Sequence, residues 1–390
     1  MLKTYKFRIY PNNTTANTLQ WVLDRCRELY NAALQERREA YKYAGKTISS
    51  YEQQNDLPEI KQIREEYQEI GSHVLQNVIK RVDLAYQAFF RRVKAGQTPG
   101  YPRFMGRNRY DSITYPDQAG WKFDGNILHL SKLGDIKVKL HRPIEGKIKT
   151  CTINREGVYW YVTLVCEVQA VKLPASYEDV GIDLGVTHLA ALSDGTFIDN
   201  PKHYRKAEKK LAKLQQSLAR KKRRSHRRRK ALQQVGKAHR KIRNQRRDFL
   251  HKESRKLVNR CQVIVFEDLQ PKNLVRKPKP KQDETGKYLP NGAAAKGGLN
   301  KSINDAGWAS LVQYVSYKAA SAGRSVLLVN PHSTSQVCSG CGQVRKKELS
   351  ERWHSCDCGG ELDRDHNAAL NILRLGRSQQ SARVVEAPAF

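Results

Sequence analysis

Four cysteines near the C-terminal end have the spacing of a metal site. Cys338 and Cys341 form a C-x-x-C pair, and after fourteen intervening residues Cys356 and Cys358 form a C-x-C pair. Four thiolates at such spacing suit the tetrahedral coordination of zinc, and four sulfur ligands leave no open position for water or substrate. Glycines beside both pairs argue against the alternative, a chance grouping of reduced thiols. We therefore predict a structural zinc site that folds a short segment and holds the next residues of the chain in place.

A second group of residues that could do chemistry consists of carboxylates beside apolar segments. Asp183 lies inside VGIDLGV, Glu267 closes VIVFE, and Asp363 and Asp365 open DRDHNAALNI. A carboxylate in an apolar setting is unfavourable unless it is paired or bound to metal. Each one alone is explained as a strand-end carboxylate or a helix cap. Together they suit divalent cations, for which magnesium is the natural choice with oxygen ligands, and such ions can support phosphodiester hydrolysis.

The elements that would position these acids are arranged in a recognisable order. The segment VGIDLGVTHLAALSDGTFIDN predicts three strands with an Asp-Gly turn, and VIVF predicts a strand buried on both faces. A long helical stretch separates them, and WASLVQYVSYKAASAG, SVLLV and HNAALNILRL come next as helix, strand and helix. This is the order of a ribonuclease-H-like fold, in which acids from the first strand, the fourth strand and the last helix meet at one end of the sheet. Residues 271–301, rich in Pro, Lys and Gly, predict a mobile loop.

The N-terminal part combines helical and strand patterns. A strand, YKFRIY, stops at Pro11, and apolar residues at helical spacing then run through residues 14–95. From about residue 110 to 173 the pattern alternates with period two. We predict an antiparallel barrel or sandwich that includes the first strand, with the helices inserted into it.

The charge of the chain points to a polyanionic partner. Its 71 Lys and Arg against 38 Asp and Glu give a formal net charge of +33. Residues 203–260 contain 24 Lys and Arg against three acids, so +21 of the excess lies there. Charge runs are usually solvated faces, but an excess this large favours binding to nucleic acid. The sequence shows neither a long apolar run nor a signal-peptide pattern, and from this we expect a cytoplasmic protein without a membrane partner.

Seven segments together resemble the TnpB (OrfB) family, RNA-guided nucleases encoded by insertion sequences and related to type V CRISPR effectors. The segments are YKFRIYPNNTTANTLQWVLDRCRELYN, PGYPRF, GIDLGVTHLAALSDG, RRDFLHKESRKLV, FEDL, INDAGWASLVQYVSYKAASAGRSVLLVNPHSTSQVCSGCG and DRDHNAALNI. They extend over nearly the whole chain. One departure is visible, because many relatives have two residues rather than one between the last two cysteines.

The resemblance implies a multidomain α/β protein. Its parts would be a β-barrel-like wedge domain (1–13 and 96–175), an inserted helical recognition lobe (14–95), an RNase H-like RuvC nuclease domain (176–335 and 361–375), a zinc-ribbon-like insert that contacts target nucleic acid (336–360) and a flexible tail (376–390). The implied catalytic, magnesium-binding residues are Asp183, Glu267 and Asp365, with Asp365 preferred over Asp363 because the family places its acid in D-x-N-A-A. The implied zinc ligands are Cys338, Cys341, Cys356 and Cys358.

The implied function is RNA-guided DNA cleavage. A guide RNA transcribed from the transposon end would pair with double-stranded target DNA beside a short transposon-associated motif, and the acid triad would hydrolyse phosphodiester bonds with magnesium. Two alternatives remain open from the sequence: a guided DNA-binding regulator that does not cut, against which the three intact acids argue, and a DNA transposase.

Overall fold

The computed structural model describes residues 1–107, 109–348 and 351–386. The chain forms two compact units, Met1–Gln169 and Ala170–Phe390, each with its own hydrophobic core. Residues 170–175 group with the second unit rather than with the preceding strands. The reason is hydrogen bonding, since the Leu173 N–H donates to the carbonyl of Ala322 and Arg324 donates to that of Pro174.

The first unit is an antiparallel sheet with helices inserted after its first strand. Its elements are β1 (Leu2–Tyr10), α1 (Asn13–Ala44), α2 (Ser50–Asn55), α3 (Leu57–Ile63), a 3-10 turn (Glu65–Glu69), α4 (Ser72–Lys94), β2 (Ser112–Tyr115), β3 (Trp121–Asp124), β4 (Ile127–Leu130), β5 (Gly134–Lys139), β6 (Lys147–Glu156) and β7 (Tyr159–Glu167). The strand order is β2-β6-β7-β1-β5-β4-β3, so the first strand lies in the centre, between β7 and β5.

This sheet is open rather than closed into the expected barrel, as far as the described residues go, because its order ends at β2 on one side and at β3 on the other. At the β2 edge, helix α4 donates hydrogen bonds to the strand. Arg81 of α4 donates to the carbonyl of Ser112 and to the hydroxyl of Thr114. The alternation of apolar and polar residues still determines which face of this sheet is buried. Tyr5 and Phe7 of β1 are among the residues on that face.

The second unit is built on a mixed sheet. Its elements are β8 (Asp179–Leu184), β9 (His188–Leu192), β10 (Phe197–Asp199), α5 (His203–Ala219), α6 (His226–Arg260), β11 (Val263–Glu267), α7 (Pro271–Leu274), β12 (Lys281–Gln282), β13 (Tyr288–Leu289), α8 (Ala293–Ala306), α9 (Trp308–Ala322), β14 (Ser325–Val329), β15 (Trp353–Ser355), β16 (Glu361–Asp363) and α10 (Arg364–Glu386). The main sheet has the order β10-β9-β8-β11-β14. Strands β8 to β10 form the predicted antiparallel meander, whereas β11 runs parallel to both β8 and β14.

Helices cover both faces of this sheet. Ile182 of β8 and Phe266 of β11 belong to a core that includes Leu311 and Val315 of α9. On the other face, α10 approaches β8 so closely that a Cβ atom at Gly181 would collide with the carbonyl oxygen of Ala369. A side chain at position 181 would displace α10, which carries the last predicted acid in its first turn.

Two segments differ from the sequence prediction. The predicted loop at 271–301 contains α7, the β12–β13 hairpin and the start of α8. The helix α8 forms despite Gly297 and Gly298 because its C-terminal half is anchored by buried Ile303 and because Asn300 donates to the carbonyl of Val275. The predicted flexible tail begins as a continuation of α10, which extends to Glu386, and residues 387–390 lie outside the described residues.

The C-terminal turn of α8 joins several elements through one carboxylate. Asp305, which is buried, accepts hydrogen bonds from the backbone N–H groups of Tyr204 and Arg205 at the N-terminus of α5. Arg246 of α6 lies 2.8 Å from the same carboxylate. Asp305 therefore acts as a cap for α5, whose own N-cap residue makes no side-chain cap hydrogen bond.

No helix in the described ranges is long and apolar enough to cross a membrane.

We expect Asp305→Ala to lower the free energy of unfolding by about 3 kcal/mol, because it leaves a partly buried guanidinium and helix N–H groups without their acceptor. Chemical denaturation of the purified protein measures the loss. Asp248→Ala is the matched control, since Asp248 forms only an exposed pair with Lys252 on α6. Equal stability of the two variants would contradict the assignment of Asp305 as a structural cap.

Candidate active site and metal centre

The three predicted acids lie on elements that meet at one edge of the second sheet. Asp183 is near the carboxyl end of β8, and Glu267 is the last residue of β11. Because β8 and β11 are parallel neighbours, their carboxyl ends lie at the same edge. Asp365 is in the first turn of α10, and one of its oxygens lies 4.0 Å from the position of a Cβ built on Gly185, just beyond β8. The structure thus brings the acids from two strands and one helix together.

Burial and mutual repulsion mark this group as an electrostatic cluster. The pKa of Asp183 is raised well above its ordinary value, first by burial and then by the negative charges of Glu267 and Asp365. The pKa of Glu267, whose residue is 8% exposed, is also raised by burial. Asp183 and Glu267, which both resist ionisation in the free protein, are suited to hold a cation, because the cation offsets their lost hydration and the repulsion on Asp183.

The geometry separates the two aspartates of DRD by role. The carboxylate of Asp363 accepts hydrogen bonds from the backbone N–H groups of Asp365 and His366, at 2.9 and 3.2 Å, and so caps α10. Asp365 instead interacts with arginine side chains. Arg364 donates to it at 3.2 Å, and Arg352 approaches to 4.0 Å. Asp365 is therefore the member of the pair that remains available to the cluster.

A residue that the sequence did not single out contacts the cluster. Thr334, which is buried, donates its hydroxyl proton to the carboxylate of Glu267, which opposes the rise in the pKa of that acid. Its position in the loop after β14 carries no spacing signal. Only the parallel pairing of β11 with β14 brings that loop beside Glu267.

The four predicted cysteines form a second, separate cluster. Their sulfur atoms all lie within 4.8 Å of one another. Cys338 and Cys358 are 3.6 Å apart, as are Cys341 and Cys356. A short hairpin of β15 and β16 joins this cluster to α10, so the folded insert extends just past the predicted boundary at 360. Residues 349–350 of the insert lie outside the described residues.

The backbone around the cysteines favours the thiolate form. The N–H of Cys341, a hydrogen bond with the His354 side chain and the N–H of Gly340 lower the pKa of the Cys338 thiol to about 5. The N–H of Gly360 acts in the same direction on Cys358, but hydrogen bonding with the other three thiols outweighs it and raises the pKa to about 12. Four thiols this close together, with N–H donors in place, fit a soft divalent cation such as zinc.

Two buried asparagines connect the cysteine cluster to the helix that carries Asp365. Asn367 accepts a hydrogen bond from the Ser339 N–H at 2.9 Å and donates to the carbonyl of Val337 at 2.8 Å. Asn371, one turn later, donates to the carbonyls of Thr334 and Val337. The segment 334–339 is thereby fixed against α10. The cysteine cluster is therefore connected to the acid cluster through α10 and Thr334.

The basic tract forms an antiparallel pair of helices. Helices α5 and α6 pack through a small apolar core that includes Leu211, Val235 and Ile242, and most of the lysine and arginine residues remain exposed. The predicted concentration of positive charge therefore lies on the surface of the second unit, where phosphates can reach it.

Comparisons with known proteins identify the family. A family model described as "Probable transposase" (OrfB_IS605) matches residues 163–277, one described as "Cas12f1-like, TNB domain" matches residues 308–372, and a helix-turn-helix model of the same OrfB group matches residues 1–46. A Streptomyces pristinaespiralis protein assigned as an RNA-guided DNA endonuclease is 33% identical over 96% of this chain and 89% of the relative. Escherichia coli InsQ, assigned in the same way, is 32% identical over 97% of this chain and 93% of its own. The chain belongs to the TnpB family.

More distant similarity is also present. TnpB-like protein L79 of Acanthamoeba polyphaga mimivirus is 27% identical over 43% of this chain and 30% of its own length. The structure of the mini-RNA-guided endonuclease CRISPR-Cas_phi3 covers 96% of this TnpB-family chain and 92% of its own, with a TM-score of 0.49 and 12% identity. Similarity at this level is too low to transfer residue roles.

We expect Asp183→Asn to raise the thermal midpoint in magnesium-free buffer at pH 7, because it removes a half-buried carboxylate whose ionised form is disfavoured by desolvation and by its acidic neighbours. A change of about 1 kcal/mol moves the midpoint by about 2–4 °C in units of this size. The sign comes from the raised folded-state pKa. As the pH rises from about 4, the unfolded chain releases the Asp183 proton before the folded chain does, so the wild type loses stability across this window and the variant does not.

Calorimetric melts at a series of pH values test this expectation. Asp268→Asn, an exposed neighbour, is the control and should leave the midpoint unchanged. A lower midpoint for Asp183→Asn at pH 7 would mean that the carboxylate stabilises the free protein and is not a repelled member of a cluster.

A separate prediction concerns the thiols. We expect the purified protein to contain about one zinc ion per chain and Cys341→Ser to lose most of it, because a four-thiolate site holds its ion only when complete. Elemental analysis by mass spectrometry measures this directly. Cys166→Ser, a buried cysteine outside the cluster, should keep its zinc. A wild-type protein without zinc would contradict the metal assignment.

Proposed function

We propose that this chain is an RNA-guided DNA endonuclease in which Asp183, Glu267 and Asp365 form the catalytic centre. The convergence of these three acids at one edge of the sheet carries the proposal, since burial and then the charges of Glu267 and Asp365 raise the pKa of Asp183. The proposal is also supported by relatives that are assigned this activity and that align along nearly the whole chain.

The architecture of the second unit is consistent with a RuvC-like nuclease. Its strand order β10-β9-β8-β11-β14 is the order 3-2-1-4-5 within this domain, which is that of RNase-H-like folds. We assign residues 176–335 and 361–375 to this domain and residues 336–360 to a zinc-binding insert that contacts target nucleic acid. We assign residues 1–13 and 96–175 to the wedge domain, of which 170–175 group with the second unit, and residues 14–95 to the recognition lobe.

Magnesium fits the acid centre because all of the donor atoms are carboxylate oxygens. When bound there, it would supply activation of water and stabilisation of the leaving oxygen in phosphodiester hydrolysis. Asp183 and Glu267 hold their positions at the ends of rigid parallel strands, and the hydroxyl of Thr334 orients Glu267. The cap formed by Asp363 fixes the first turn of α10 and with it Asp365.

Guide RNA and double-stranded target DNA are the partners that this function requires. The +21 charge of residues 203–260 suits contact with the phosphate backbones of a guide and target heteroduplex, in which base pairing rather than side chains reads the sequence. We propose that the guide derives from the end of the transposon that encodes the protein, and that a short motif beside the target is recognised by the protein itself.

The alternatives differ in their reaction products. A guided regulator would bind DNA without cutting, but all three acids are present and grouped. A transposase would join DNA ends, and one matching family model carries the description "Probable transposase". Cleavage directed by the guide, without strand joining, distinguishes the endonuclease from both.

We expect the cleavage site to move with the guide. The experiment supplies the protein with two guide RNAs of unrelated sequence and maps the cuts on a plasmid that carries both targets beside randomised flanks. Each guide should direct cleavage to its own target, and only a short flanking motif should be shared. Cutting that ignores the guide, or that proceeds equally well without RNA, would refute the proposed function.

Glu267→Gln is the matched control for the chemistry. We expect it to bind both targets in gel-shift assays and to cut neither, because affinity comes from backbone contacts and pairing whereas the carboxylate serves the reaction. Cutting by this variant at the wild-type rate would remove Glu267 from the catalytic centre.

A further inference from the structure

A small cavity opens beside the acid cluster, on the α9 side of the sheet. It has a volume of about 230 Å³ and includes Glu267 in its lining. Its walls are mostly apolar and come from Leu184, Trp308, Val312 and Leu328. The side chains of Asp268 and Gln313 add polar groups. The cavity is therefore continuous with the proposed catalytic centre but differs from it in chemistry.

The indole of Trp308 is fixed in this wall. Its Nε1–H donates to the carbonyl of Gly185 at 3.0 Å, which anchors the ring to the backbone just after β8. The residue is 8% exposed and so offers a limited but rigid apolar surface. Leu328, on the edge strand β14, is 46% exposed. The cavity therefore combines an accessible aliphatic side chain with a rigid aromatic ring, as apolar ligand pockets do.

The charge of the cavity restricts what can occupy it. The carboxylates of Glu267 and Asp268 border it, so a phosphate group would be repelled. An uncharged ring is compatible with the apolar walls, and the amide of Gln313 can donate to and accept from its edge. Since the volume is below the roughly 300–1,000 Å³ of pockets for drug-sized ligands, the cavity suits a single ring system and excludes a base pair.

We propose that this cavity binds one nucleobase of the DNA strand being cut, from a nucleotide next to the scissile phosphate. The inference rests on the proposed function, since Glu267, which borders the cavity, belongs to the centre that would act on that phosphate. The strand would cross the edge of the sheet with its phosphate at the acids and its base against Trp308, which positions the phosphate for hydrolysis.

The experiment uses the protein with a guide RNA and a series of DNA targets, each with one abasic nucleotide at a position flanking the mapped cut. At one position the loss of the base should slow cleavage about tenfold, the effect of losing one stacked base. Ala309→Trp should reproduce this slowing on intact DNA, because Ala309 is an exposed residue of the cavity wall and a large side chain there fills the cavity. In this variant, removing the base at that position of the DNA should not slow cleavage any further.

Ala320→Trp is the matched control. Ala320 is an exposed alanine on the same helix, about 16 Å further along the helix axis, and its replacement should leave cleavage unchanged. Gel-shift affinity for the guided target should be the same for all three proteins.

Two results would overturn the proposal. One is wild-type cleavage that is insensitive to abasic substitution at every flanking position, and the other is cleavage by Ala309→Trp that matches the Ala320→Trp control. The abasic series with the wild type decides the question even if Ala309→Trp is unstable in thermal melts. Failure of the proposed function can be told apart from failure of this inference. If the proposed function is wrong, the wild-type complex will not cut even the unmodified guided target.

Discussion

Repulsion between carboxylates at one edge of the second sheet is the constraint on which the rest of this unit depends. Asp183 is held among apolar residues and beside two further acids, an arrangement that is unfavourable without a cation. The surrounding contacts keep the cluster in place. The parallel pairing of β8 with β11 fixes two acids relative to each other, and the close approach of α10 to Gly181 brings the third.

The metal centre contributes to the same arrangement at a distance from the chemistry. A site of four sulfur ligands has no position for substrate, so its influence must be mechanical. Asn367 and Asn371 hold the segment that leads into the cysteine cluster against α10, and Thr334 of that segment contacts Glu267. These hydrogen bonds are buried or partly buried, where an unpaired polar group is unfavourable by about 1–3 kcal/mol. The cysteine segment and the acids therefore share one rigid support.

A series of contacts also links the basic helices to the sheet that carries the acid cluster. Asp305 caps α5 and pairs with Arg246 of α6, and three residues later Trp308 donates to the carbonyl of Gly185, just after β8. The helices that carry most of the excess charge are thus joined to the strand that carries Asp183 by a single turn. In a guided nuclease, this turn connects the surface suited to nucleic-acid backbones with the centre that cuts.

The sequence by itself determined the order of elements and which residues are candidates for chemistry. Cysteine spacing predicted the four-cysteine cluster, an acid inside one apolar run and an acid at the end of another predicted Asp183 and Glu267, and the strand pattern predicted the meander and the buried strand, because these signals are local. Only the tertiary structure showed the contact of Thr334 with Glu267, the hydrogen bonds of Asn367 and Asn371 and the cavity beside Trp308. All three depend on contacts between residues far apart in the chain. Tertiary packing also overrode local propensity at α8, where buried Ile303 stabilises a helix that its glycines disfavour. Hydrogen bonding left the first sheet open where alternation alone allowed a barrel, since strand patterns specify a buried face but not which edges pair.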